Sequence, residues 1–385
     1  MPSPVEDRDD AMHQGRLHYL DALRSFCMLY GVFVHTSAFL GPAAIGLIGT
    51  ASAYFRMGTF FLVSGFLVAL VAARTSVPSV LRKRSVALLV PLATVTVLAN
   101  PVTCWLIHLR HAGPMSFGEF LLGGGWRTPA GAEASWLLHL WFLISLWVYV
   151  MLFPLLARLA AAGPVRRGLD TLGRWPGEAV VPLVGLGVAA AAVALRVVHD
   201  LAVEPLVAGT PFAWVAFATV LYLPYFGLGV LMHAGRGLFE RMHRASPVAL
   251  GLGALLLVAA AALPAGLPRA AGTIADIVAR AVLTVALVAT LLGLARALVP
   301  ARSRVVTLLI DSIYTVYLLH YLAIYALGLL LLRWLPAGPA YYLTLAPLVI
   351  VLLVGFHHRV VARSPLLRLL LNGRPTPVAA ALPTG

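Results

Sequence analysis

The sequence predicts an all-α integral membrane protein: a bundle of about ten transmembrane helices with both termini cytoplasmic. Three observations lead there. Of 385 residues, 61% are hydrophobic and only 11% are charged, less than half the roughly 25% typical of soluble domains. Apolar windows long enough to cross about 30 Å of hydrocarbon recur along the whole chain. The basic residues between those windows alternate from rich to poor, as loops on the two faces of a membrane do. These features exclude a water-soluble enzyme, a disordered chain and a nucleic-acid binder, although the net charge is +14. A mean hydropathy of +0.93 points the same way.

The elements follow in order. Residues 1–18 contain VEDRDDAMHQGRLH, polar and acidic with no apolar core, so they read as a cytoplasmic segment and not as a cleaved signal peptide. The membrane domain spans 19–360, with windows at 20–41, 50–73, 86–107, 136–157, 179–198, 212–233, 247–266, 275–296, 305–332 and 340–358. Asp21 and Asp311 stand at helix starts, and Asp21 is spaced to pair with Arg24 at i, i+3. The fifth, seventh and eighth windows are plain Ala, Val, Leu and Gly. Two linkers are long enough to hold local structure: 108–135, Gly-rich with Phe117 and Trp126, and 158–178. After the tenth window, 361–385 carries Pro365, Pro375, Pro377 and Pro383 and reads as a flexible cytoplasmic tail. Cys27 and Cys104 lie in apolar runs and form neither a disulfide framework nor a metal set.

Charge tests the count. One face collects Arg74, Arg82, Lys83 and Arg84, then Arg158, Arg166, Arg167 and Arg174, then Arg236, Arg241 and Arg244, then Arg296, Arg302 and Arg304, then four more after the last window. The opposite face has only Arg110, Arg127, Arg196, Arg269 and Arg333. Cytoplasmic loops retain Lys and Arg, so an even number of helices and two cytoplasmic termini satisfy the pattern.

Function is read from the polar residues left inside the windows, because each is costly there and usually faces a cavity or a partner. The first helix carries Arg24 and His35. Eleven residues at 100° each bring both to one face, about 16 Å apart along the axis. Arg56 on the second helix, His139 on the fourth and His320 on the ninth fall at about the level of His35, and Ser312, Tyr314 and Tyr317 accompany His320. Against this stands a duller reading for each. A single intramembrane His is as often a packing residue, Arg56 can snorkel to the interface, and Arg82, Lys83 and Arg84 fit an ordinary positive-inside loop. Four ionisable groups from four helices at one level are harder to explain that way.

Four stretches carry a resemblance. YLDALRSFCMLYGVFVH at 19–35 resembles the opening of the membrane-bound acyltransferase-3 family, with Arg24, ten residues and then His35. FRMGTFFLVSGFLVAL at 55–70 is similar to the family's second helix, through Arg56, Phe60, Phe61, Ser64 and Gly65, and HLWFL at 139–143 and SIYTVYLLH at 312–320 look like further family segments. The likeness covers about 16–358. It implies an O-acyltransferase of the bacterial inner membrane that moves a succinyl or acetyl group from cytoplasmic acyl-CoA to a hydroxyl of a periplasmic or cell-surface glycan. Succinyl-CoA or acetyl-CoA is then a co-substrate, with no bound cofactor or metal and no nucleic-acid partner. In that reading His35 is the catalytic base and Arg24 the donor-side ligand. Arg56, Ser64, His139, Trp141, Ser312, Tyr317 and His320 line the substrate site, and Arg82, Lys83 and Arg84 are candidates for the donor phosphates. A secondary transporter or flippase is the alternative, but the sequence shows neither a mid-membrane carboxylate nor paired broken helices.

Overall fold

A computed structural model describes residues 4–40, 46–124, 136–264, 268–299 and 303–374. The described residues are helical, with no strand among them. In chain order the α-helices are α1 (Pro4–Leu40), α2 (Gly46–Ala72), α3 (Val77–Thr94), α4 (Asn100–His111), α5 (Phe117–Leu122), α6 (Trp141–Ala161), α7 (Gly163–Arg174) and α8 (Gly177–Val198). They continue with α9 (Glu204–Val207), α10 (Ala213–Ala234), α11 (Arg236–Arg241), α12 (Pro247–Ala261), α13 (Arg269–Leu298), α14 (Arg304–Leu331), α15 (Pro339–Arg359) and α16 (Pro365–Asn372).

Among the described residues, nine helical stretches are long and apolar enough to cross a membrane, as a multi-pass membrane protein requires. They coincide with nine of the ten expected windows. The seventh, expected over 247–266, is the shorter helix Pro247–Ala261 of 15 residues. Pro264 explains the early end, since the residue before a proline is pushed out of helical conformation.

Prolines also place the two π-turns. Val95–Ala99 joins α3 to α4 and His199–Val203 joins α8 to α9. In the first, the Asn100 N–H reaches the Val95 carbonyl, and the next residue, Pro101, has no N–H to offer Thr96. The Trp136 indole donates to that Thr96 carbonyl at 3.1 Å, while the Asn100 amide donates to the Trp136 carbonyl at 2.7 Å. Glu204–Pro205 repeats the arrangement after the second turn.

The described chain forms two compact units. The first comprises Met1–Cys27, Thr50–Val80 and Val148–Thr307, and the second Met28–Gly49, Leu81–Trp147 and Leu308–Gly385. In the first, α2 and α10 cross with backbones nearly touching. A Cβ on Gly65 would overlap the Phe226 carbonyl, and one on Gly229 the Leu62 carbonyl. Small residues at such a crossing let helices pack where lipid offers no hydrophobic driving force. Beside them the Tyr149 hydroxyl donates to the Thr219 carbonyl at 2.6 Å. The 158–178 linker forms α7, which meets α11 at Gly173 and Gly237, and the Arg241 guanidinium donates to the Gly173 carbonyl at 3.2 Å.

In the second unit, Trp147 donates to Ser85 at 3.1 Å and Tyr314 to the Ala87 carbonyl at 2.9 Å. The 108–135 linker contributes α5, closed at its start by a capping box between Ser116 and Glu119; Trp126 lies outside the described residues. The expected flexible tail is corrected over 361–374. Ser364 caps α16 by accepting from Leu367 N–H, and Gly373 takes the left-handed conformation that ends it, with φ 61° and no room for a Cβ against Ala87. The Thr315 hydroxyl bridges His357 Nδ1 at 2.8 Å and the Asn372 side-chain amide oxygen Oδ1 at 3.2 Å. Buried Leu371 adds an apolar anchor, so amphipathic patterning outweighs the proline that suggested disorder. Residues 375–385 lie outside the described residues.

Candidate active site

Three histidines expected at one level are brought together in the second unit. His35 comes from α1, His139 from the short 3₁₀ turn Leu138–Leu140 ahead of α6, and His320 from α14. Their ring centroids are 5.2 Å apart for His35 and His320, 4.6 Å for His139 and His320, and 6.4 Å for His35 and His139. His139 and His320 are buried, and His35 is half-buried.

The carbonyl of Tyr317 organises two of them. His139 Nε2 lies 2.9 Å from it and His320 Nδ1 2.6 Å from it. A carbonyl only accepts, so both nitrogens carry protons. The Tyr317 hydroxyl donates in turn to the His139 carbonyl at 2.8 Å, locking α14 to the turn in two directions. Leu138 adopts φ 46° to make that turn, a left-handed conformation that costs a bulky residue about 1–3 kcal/mol and is found where geometry is imposed by the site.

His35 is oriented differently. Its Nδ1 is 2.8 Å from the Tyr321 hydroxyl, and the rings lie 4.5 Å apart. Tyr321 also stacks on His139, with centroids 4.6 Å apart and planes 1° from parallel. One tyrosine thus touches all three imidazoles, since His320 is 5.3 Å from it. Tyr321 escaped the sequence reading, yet a signal existed. Tyr314, Tyr317, Tyr321 and Tyr325 follow a spacing of three, four and four, which lays them along one helix face. The Tyr321 hydroxyl thus holds the half-buried His35 imidazole at Nδ1 and fixes the orientation of its ring.

A family model described as an acyltransferase domain, Acyl_transf_3, matches residues 17–358. The chain belongs to the acyltransferase-3 family. It is therefore a membrane O-acyltransferase. No curated protein and no solved structure matches.

The remaining residues expected in this acyltransferase's site are placed as follows. Arg24, Arg56 and Ser64 belong to the first unit. Arg24 pairs with Asp21 at 3.5 Å, as its spacing predicts, and its guanidinium lies 6.0 Å from the centre of the Phe60 ring. Arg56 Nε donates to the Ser52 hydroxyl one turn earlier at 2.8 Å. Ser64 is buried. In the second unit Trp141 begins α6 beside the His139 turn and meets the Phe142 ring edge-on at 6.3 Å. Ser312 donates back into its own helix, to the Leu308 carbonyl at 2.8 Å, so its hydroxyl serves α14. Arg82 and Lys83 are exposed and Arg84 is half-buried. Among the described residues no group of three His, Cys, Asp or Glu is placed to hold a metal ion.

Proposed function

We propose that the chain transfers a succinyl or acetyl group from cytoplasmic acyl-CoA to a hydroxyl of a periplasmic or cell-surface glycan, with His35 as general base. The observation that carries this reading is the 2.8 Å contact between His35 Nδ1 and the Tyr321 hydroxyl. With Nδ1–H donating to that oxygen, Nε2 keeps its lone pair for the acceptor. His35 removes the acceptor proton as the oxygen attacks the thioester carbonyl, the carbon–sulfur bond breaks, and the thiolate of coenzyme A takes up the proton. A base of this kind contributes about a hundredfold to ten-thousandfold in rate. Arg24 serves the anionic end of the donor, helped by Arg82, Lys83 and Arg84, and Arg56 is the candidate for stabilising the developing oxyanion.

The combination of Arg56, Phe60, Phe61, Ser64 and Gly65 with HLWFL at 139–143 resembles glucans biosynthesis protein C, and that favours succinyl transfer to a periplasmic glucan. The excess of basic residues on one set of loops supports an inner-membrane location with both termini cytoplasmic. The test is thiol release by the purified protein in nanodiscs, with succinyl-CoA and acetyl-CoA, with and without glucan, beside His35→Ala. Acceptor-dependent release that disappears in His35→Ala supports the reading. Undiminished release by that variant removes His35 as the base, and a lack of release from either donor with any glycan directs attention to transport.

A further inference from the structure

One helical turn beyond the histidine layer, the second unit holds a second polar group that proton abstraction by His35 leaves unused. Arg110 and His111 end α4. The Arg110 guanidinium carbon lies 5.1 Å from the centre of the Phe39 ring, and His111 Nε2 lies 3.4 Å from the Tyr325 hydroxyl. Phe39 follows His35 by four residues on α1, and Tyr325 follows Tyr321 by four on α14. Both steps advance about 6 Å in the same sense from the layer of the proposed base. Phe39 stacks parallel on Tyr341 at 6.0 Å and meets Tyr325 edge-on at 5.2 Å. It lies against α14 only because position 328 is glycine, where a Cβ would overlap its ring.

Arg110 is the cation that needs explaining. It stands on the face of the membrane where the charge pattern leaves few basic residues, so it persists against the topological bias. Of the other cations described on that face, Arg196 pairs with Asp200 at 2.8 Å, and Arg269 and Arg333 are exposed. Arg110 is half-buried with its Nε shielded from solvent, and among the described residues no carboxylate lies within ion-pair distance of it. A partly desolvated guanidinium resting on an aromatic face presents its planar fork to an anion that arrives with the substrate.

We propose that Arg110, flanked by His111 and Tyr325, binds a carboxylate carried by the substrate, one turn beyond His35. This rests on the reading of His35 as the site of acyl transfer. The reach suits a four-carbon dicarboxylic acyl group, whose distal carboxylate carbon lies about 4 Å from its acyl carbon, with one hydrogen-bond length more to the guanidinium. A carboxylate on the glycan acceptor presents the same chemistry. Arg110 is thus a specificity-determining residue that separates charged from neutral substrates.

The experiment measures thiol release in nanodiscs from succinyl-CoA and acetyl-CoA, each with a neutral glucan and with a uronate-bearing glycan, for the wild type, Arg110→Gln and Arg110→Lys. If the acyl group supplies the carboxylate, Arg110→Gln lowers kcat/KM for succinyl-CoA about tenfold to hundredfold, the loss of one charge-assisted pair, and leaves acetyl-CoA unchanged. If the acceptor supplies it, the loss follows the uronate glycan with either donor. Arg110→Lys retains the charge without the fork and falls between. Equal rates, or equal losses for all four combinations in a variant that elutes as a monodisperse species, overturn the proposal. If the wild type turns over neither donor, the acyl-transfer reading has failed, and monomethyl succinate decides the anion site by calorimetry. Saturable binding that Arg110→Gln abolishes sustains the site, and its absence in the wild type removes it.

Discussion

The Tyr321 hydroxyl oxygen lies 2.8 Å from Nδ1 of His35, joining α14 to α1 through one hydrogen bond at the half-buried histidine. A base acts at Nε2 only if the other nitrogen is held with its proton and the ring cannot turn. Tyr321→Phe keeps the ring that stacks on His139 and removes only the hydroxyl. We expect kcat for acyl transfer to fall about tenfold, the worth of one such bond, with KM for the donor unchanged. His35→Ala is expected to lose a hundredfold to ten-thousandfold. Steady-state thiol release measures both, and an unaffected Tyr321→Phe enzyme would show that Tyr321 only packs.

Tyr317 joins the same layer through two backbone carbonyls. Its own carbonyl accepts from His139 and His320, and its hydroxyl donates to the carbonyl of His139. Tyr317→Phe leaves that buried His139 carbonyl without its donor, which costs about 1–3 kcal/mol. The melting temperature in detergent is expected to fall, and a wild-type melting curve would show that another group compensates.

The crossing of α2 and α10 predicts a sharp contrast among glycines. Gly65→Ala places a methyl group into the Phe226 carbonyl, an overpacking worth about 1–3 kcal/mol or more because backbone must move. Gly187→Ala on α8 meets nothing within 4 Å and is expected to be neutral or stabilising by about 0.5–1 kcal/mol, since alanine suits a helix interior better. Fluorescence-detected size exclusion after heating ranks the two; similar survival of both variants contradicts the close crossing.

His243 links acidity to stability outside the membrane-spanning helices. Burial holds its imidazole below the ordinary value of 6.5; the Phe239 carbonyl bond opposes this and nearby Arg296 adds to it. Its Nδ1 donates to the Phe239 carbonyl at 2.7 Å, so Nε2 accepts from the Tyr19 hydroxyl at 2.6 Å. As pH falls below 6.5 the unfolded chain binds a proton that the folded chain resists, so the contribution is complete above that value and is lost as pH drops through the folded one. The wild-type melting temperature is therefore expected to fall between about pH 7.5 and 5.5 by more than that of His243→Gln. Parallel curves for the two proteins would show that His243 does not contribute.

The sequence by itself determined the class, the helix positions and the presence of a polar layer. The reason is energetic: spanning lipid demands about 20 apolar residues per crossing, and each polar group kept inside is conspicuous. Arg24, His35, His139 and His320 were therefore legible one residue at a time, and the motif at 19–35 pointed to the family before any coordinate did. Helical periodicity reports which face a residue occupies, and it is silent on what that face meets across the bundle. Only the tertiary structure decided that Tyr321 holds His35, that one carbonyl of Tyr317 takes protons from two histidines, and that Ser312 bonds its own helix. It likewise decided that Arg110 rests on Phe39 and that residues 365–372 form a docked helix and not a loose tail. Those outcomes depend on which side chains meet once the helices are packed, where side-chain geometry and not composition selects the partner.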